Sequence, residues 1–125
     1  MMSSILIDTD VILRYLLDDD ENMALIAEHL IDGDVWTTPD VLAEITYVLE
    51  SVYELPRKDI HAALCIVANH VELRPETVVL EAIREYGETK LDFVDCMMVA
   101  YAKAGGERVF SFDKEINRRL TAKTP

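Results

Sequence analysis

At 125 residues, half of them apolar and 29% charged, the chain can build one sizeable core and is not a disordered protein. No apolar run approaches the length of a membrane span. Twelve basic residues against twenty-four acidic ones leave a formal net charge of −12. That counts against holding nucleic acid by bulk phosphate neutralisation. It leaves open an enzyme that meets phosphate through bound dications, and a basic partner. The plainer alternative is that the acids keep the surface soluble.

A single domain, 1–125, is expected. Met1-Met2-Ser3-Ser4 has neither the basic start nor the long apolar run of a secretory leader. Cys65 and Cys96 are lone thiols on helical patterns. They read as buried reduced cysteines, which fits a reducing cytoplasm.

Ile5-Leu6-Ile7-Asp8-Thr9-Asp10 opens the chain. Three β-favouring residues running into acids read as a buried parallel strand, with Asp8 at its carboxyl end. Open α/β sheets place their ligands at that edge. An acid there, with no cation in the local sequence, calls for something positive, and a divalent metal is the reading adopted.

Thr9 is the expected cap of a first helix carrying Val11, Ile12, Tyr15 and Leu16. Asp18-Asp19-Asp20 reads as a solvated turn. Asn22 opens a second helix with Leu25, Ile26, Leu30 and Ile31, stopped by Gly33. Asp34 to Thr37 is a second strand. Thr38-Pro39 predicts a capped helix start, and Val41, Leu42, Ile45, Val48, Leu49 and Val52 form its apolar face. Glu44 borders that face, while Glu50 and Glu54 look outward.

Pro56 opens a helix with Ile60, Ala63, Leu64 and Val67 inward. His61 and His70 lack partners at ligand spacing and read as surface or loop residues. His70 to Leu73 is a third strand. A helix from about Pro75 turns Val78, Val79, Ala82, Ile83 and Tyr86 inward and closes at Gly87. After a polar loop, Asp92 caps a helix with Val94, Met97, Met98, Tyr101 and Ala102, stopped by Gly105-Gly106. The Met pair reads as core filling. Arg108 to Ser111 is a fourth strand, and Asp113 opens a last helix with Ile116 and Leu120. A fifth strand after Thr121 is very short or absent. Strands alternating with helices argue for a doubly wound α/β fold on a mainly parallel sheet.

Asp8, Glu44 and Asp113 follow strands or lie early in the next helix, which brings them to one sheet edge. Asp95 begins after a loop, so this count does not place it. Clustered acids raise each other's pKa, and hard oxygen donors suit Mg²⁺ or Mn²⁺. The bland reading is four acids at helix N-termini, where the dipole favours them anyway.

Four motifs in order resemble the PIN domain family and, within it, the VapC-type toxins of toxin–antitoxin pairs. Ile5-Leu6-Ile7-Asp8-Thr9-Asp10 resembles the opening motif, with Asp10 where relatives often carry Asn. Leu42-Ala43-Glu44 resembles the second. Leu91-Asp92-Phe93-Val94-Asp95-Cys96 resembles the third, and Val109-Phe110-Ser111-Phe112-Asp113 the fourth. The resemblance covers nearly the whole chain. It implies a three-layer α/β/α sandwich with a sheet of four to five strands and about seven helices. It also implies a Mg²⁺-dependent ribonuclease, with Mn²⁺ as the alternative ion. Asp8 and Asp95 would hold the principal metal, Asp113 would complete the shell, and Glu44 would orient a water or second ion. Thr9, Ser111 and Asp92 take supporting roles. Implied partners are RNA, a second copy in a homodimer, and an antitoxin whose basic C-terminal segment enters the acidic cleft. Arg14, Lys90, Lys114 and Arg118 are basic candidates for guiding RNA, none of them assigned.

Asp8-Thr9-Asp10-Val11 also fits a haloacid-dehalogenase-like phosphatase with Asp8 as nucleophile. That class needs a later Lys and a closely spaced acidic pair, and this chain is short for it. A receiver domain would need an acid ending its third strand, and His70-Val71-Glu72-Leu73-Arg74 supplies none. A non-cleaving PIN scaffold binding RNA or protein is the non-enzyme alternative.

Overall fold

Short apolar runs between amphipathic helices fold into a small parallel sheet wrapped by helices. The computed structural model describes residues 4–17 and 21–121. The leader reading at Met1-Met2-Ser3, the acidic turn at 18–20 and the terminal strand after Thr121 fall outside the described residues.

The elements in order are β1 (Ile5–Leu6), α1 (Thr9–Leu17), α2 (Glu21–Ile31), β2 (Val35–Thr37), α3 (Pro39–Ser51) and α4 (Arg57–His70). Then come β3 (Glu72–Leu73), α5 (Glu76–Glu88), α6 (Phe93–Lys103) and α7 (Lys114–Thr121). The sheet has three strands in the order β1-β2-β3, all parallel. Ile5 pairs with Val35, and Trp36 with Glu72. Each parallel step is bridged by a helix pair, α1–α2 and then α3–α4, as a parallel sheet requires. Within the described residues the chain is therefore α/β with seven helices and a three-stranded sheet. Among the described residues no helix is long and apolar enough to cross a membrane.

The expected fourth strand does not form. Arg108–Ser111 carries no ladder, and Phe110 and Phe112 stand 80% and 93% exposed, with their rings edge to face at 5.1 Å. A strand needs an edge to pair with, and the remaining edge of β1 is only two residues long. A glycine pair also precedes the segment, and Gly106, at φ +68°, turns the chain out of α6.

The core is drawn from every layer of the chain. Ile7 and Ile12 meet Leu42, Ile45 and Leu49 of α3, Leu64 of α4, Val79 of α5 and Phe93 and Val99 of α6. Several inward assignments shift. In α2 the buried positions are Ala24, Ala27 and Ile31, while Leu25 and Ile26 are exposed. Val52, Val94 and Met98 are also exposed, so only Met97 of the Met pair fills core. His61 lies inside α4 and is half-buried, against the surface-or-loop reading. α5 runs one residue past Gly87, where a Cβ would come within 2.5 Å of His61 Nε2. That glycine serves the close approach of α4 to α5 and does not end the helix.

Among the described residues one charged group sits wholly inside. Glu85 on α5 has no exposed side-chain surface and binds Lys103 of α6 at 2.7 Å and Arg119 of α7 at 2.9 Å. A single carboxylate thus joins three helices.

Candidate active site

Helix N-termini position the acids. The Asp8 backbone follows β1, where Ile7 N–H donates to Trp36 O (3.0 Å) and Ile7 O accepts the Thr37 hydroxyl (2.9 Å). Thr37 is fully buried, so the last residue before Asp8 is fixed from inside the sheet. Asp8 itself caps α1, its Oδ1 accepting the Val11 N–H at 3.1 Å. The expected cap, Thr9, is the first residue of the helix and is buried. The one-residue difference matters, because it places the acid at the positive end of the helix dipole.

Asp113 is held in the same manner. Its Oδ1 accepts N–H groups from Glu115 (2.8 Å) and Ile116 (3.0 Å), and its own N–H donates to Ser111 Oγ (3.0 Å). Asn117 reaches back to the Ser111 carbonyl at 2.8 Å, closing the turn. Asp92 caps α6 as the sequence predicts, its Oδ1 accepting the Asp95 N–H at 2.9 Å. Thr38, by contrast, makes no side-chain cap bond on α3, although Pro39 begins that helix.

Asp95, in the first turn of α6, is the half-buried member. Its carboxyl is raised above the ordinary range, first by burial, then by the charges of Asp92 and Asp113 and a hydrogen bond with Asp92. Two chain segments well apart in sequence therefore bring the charges of Asp92 and Asp113 to bear on Asp95. Asp8 and Glu44 are exposed, and neither is among the charges acting on Asp95. Among the described residues no three His, Cys, Asp or Glu side chains stand close enough to hold a metal ion. The carriers of the four acids nonetheless pack in succession: α1 against α3, α3 against α6, and α6 against α7.

The loop leading into Asp92 is braced by residues that sequence reading missed. Arg57 donates to the carbonyls of Tyr86 (2.9 Å) and Leu91, and its guanidinium lies 3.8 Å from the Tyr86 ring centre. The Thr89 hydroxyl donates to Glu85 O at 2.8 Å and accepts from Leu91 N–H at 3.3 Å. Nothing local marks Arg57, since a base after Pro56 reads as a solvated helix start. Both cysteines are free thiols, and burial pushes Cys96 up to about 11, so it is no nucleophile.

Comparison with known proteins adds the following. A sequence family described as PIN domain matches residues 5–119, a span that includes Asp8, Glu44, Asp95 and Asp113. A protein named VapC ribonuclease, from Aquifex aeolicus (strain VF5), is 30% identical over 123 residues, covering 90% of this chain and 90% of that protein. No solved structure matches. The chain belongs to the PIN domain family.

Proposed function

We propose that this protein is a divalent-metal-dependent ribonuclease that hydrolyses RNA phosphodiester bonds, and the toxin of a type II toxin–antitoxin pair. The observation that carries the reading is the family match over residues 5–119, a span that holds Asp8, Glu44, Asp95 and Asp113, in a chain similar to a protein named VapC ribonuclease.

The donor set fits Mg²⁺ or Mn²⁺. All four acids offer hard carboxylate oxygens, and Asp95 sits where added positive charge relieves both burial and repulsion. Mg²⁺ binds through one or two carboxylates, keeping waters and taking substrate phosphate for the rest, so it needs no preformed protein cage. Asp8 and Asp95 would hold the principal ion, with Asp113 completing its surroundings. Bound there, the ion would supply charge neutralisation on the phosphodiester during in-line displacement.

The chain's own residues do the remaining work. Glu44 orients the attacking water or a second ion. The water oxygen forms the new bond to phosphorus as its proton passes to solvent, one ester P–O bond breaks, and the departing oxygen takes up a proton from solvent. Asp92 fixes the start of α6 and hence the position of Asp95, and Ser111 does the same for Asp113. Thr9, buried, is the first residue of the helix that Asp8 caps. A homodimer and an antitoxin with a basic C-terminal segment complete the reading, and the net charge of −12 supports a basic partner.

The test is cleavage of single-stranded RNA by purified protein. Mg²⁺ or Mn²⁺ should support it and EDTA should stop it. Asp95→Asn and Asp8→Asn should each slow it by roughly 10²-fold or more, the scale seen when one preorganised charged group is removed. Circular dichroism should stay unchanged. Cleavage that survives both substitutions, or a covalent phosphate on Asp8, would overturn the assignment.

A further inference from the structure

A cleft of about 990 Å³ opens between the 87–91 loop and α7. Arg57, Lys90, Arg118 and Arg119 line it, against Glu88 and Glu115 as its acids. In a chain with twice as many acids as bases, a local excess of cations is out of keeping with the rest of the surface. Two of these cations are fixed in the wall: Arg57 by the Tyr86 and Leu91 carbonyls, and Arg119 by Glu85 and Glu88. The other two are exposed. Among the described residues the Arg118 side chain pairs with Glu115, in a bridge open to water, and Lys90 makes no side-chain contact with any charged group.

Both walls lie close along the chain to the acids at the starts of α6 and α7. Lys90 stands two residues before Asp92, the α6 cap that bonds Asp95. Arg118 stands five residues beyond Asp113 on α7, roughly 7.5 Å along the helix axis. A second recess of about 300 Å³ shares Arg57 and Lys90 and continues the groove past Tyr86. A polyanion approaching this acidic molecule is repelled at long range. At 0.15 M salt, charges beyond about 8 Å are largely screened, so a phosphate inside the cleft responds mainly to the cations lining it.

We propose that this cleft carries the sugar–phosphate backbone of single-stranded nucleic acid past the acids, with Lys90 and Arg118 each holding a phosphate. The proposal rests on the nuclease reading for its direction, and its test does not depend on cleavage. Binding of a 5′-labelled single-stranded RNA oligonucleotide is followed by fluorescence anisotropy in EDTA, across a salt series. Each phosphate contact on a single strand contributes about −0.7 to the slope of log K against log salt. Lys90→Gln and Arg118→Gln should each reduce the slope by about 0.7, and together they should weaken binding on the order of tenfold. Lys58→Gln removes the same charge from an exposed site outside the cleft and should leave the slope unchanged.

A slope unmoved by the cleft variants, or moved equally by Lys58→Gln, overturns the proposal. So does failure of the wild type to bind RNA at low salt, or an equal response with a polyglutamate peptide in place of RNA. If RNA is cleaved but the slope does not respond, the cleft assignment fails and the nuclease reading stands. If the slope responds but nothing is cleaved, the cleft assignment stands alone.

Discussion

A carboxylate at a helix N-cap has two oxygens, and at Asp8 and Asp113 the cap bonds use one of them. The cap needs only an acceptor, which an amide also provides; the chemistry needs the charge. Asparagine therefore separates the two roles, because Asn and Asp cap about equally well. Asp8→Asn should leave the thermal midpoint nearly unchanged, while Asp8→Ala should lower stability by about 1 kcal/mol through loss of the cap. Denaturant titration of the two variants beside wild type checks this. Equal loss in both would mean that charge, and not acceptor geometry, supports α1. Sequence reading placed this cap one residue late, at Thr9, because either residue type can cap a helix. Only the extended chain after Ile7, held by Thr37, decides which of them stands outside it.

At the level of elements, the site depends on how the 87–91 loop is shaped before α6 begins. Arg57 binds two of its flanking carbonyls and stacks on Tyr86 at once, a combination that a lysine ammonium cannot reproduce. Arg57→Lys keeps the charge and should still cost about 1–3 kcal/mol, because one of the carbonyls is left unmet. Amides of residues 87–91 should then exchange faster with solvent. An exchange pattern identical to wild type would show that Thr89 alone shapes the loop.

The elements themselves were largely legible. The strand at Val35-Trp36-Thr37, the Asp92 cap and the stop at Gly105-Gly106 are written in local chemistry, and all three form. The fourth strand was not legible, because β-friendly residues such as Val109 and Phe110 form a strand only where a partner edge exists. The face of α2 misled for a related reason. Leu25, Ile26, Leu30 and Ile31 are the large apolar residues of the helix, but the side turned to the body is the one that fits closely, through Ala24, Ala27 and Ile31. Of the site, the types and order of the acids could be read, as could the cap at Asp92. Lys90, Arg118 and Arg57 could not be told from ordinary surface charge, since what distinguishes them is their meeting in space.

Across the whole molecule, the link from core to site passes through Glu85. Burial pushes this carboxyl up, and hydrogen bonds from Arg119 and Lys103 outweigh that, holding it below its ordinary value. A depressed value in the folded state means stabilisation that is complete above the unfolded carboxylate range and fades as pH falls through the folded value. Glu85→Ala leaves Lys103 and Arg119 facing an apolar gap and should cost about 3 kcal/mol at neutral pH. The difference from wild type should narrow in acid, where wild-type Glu85 is itself protonated. A gap that held constant from neutral pH to pH 3 would show that packing, and not the ion pairs, accounts for the loss.

α7 contributes one buried side chain, Ile116, to the body of the protein. Half-buried Leu120 adds apolar contact, and Arg119 ties the helix that carries Asp113 at its head and Arg118 on its flank to Glu85 and Glu88, so part of its hold is a protonatable latch. Acidification should unclasp this last helix while the interior, built on Leu42, Leu64 and Val79, stays closed. The acid-treated protein would then be a folded molecule that has mislaid one wall of its working surface.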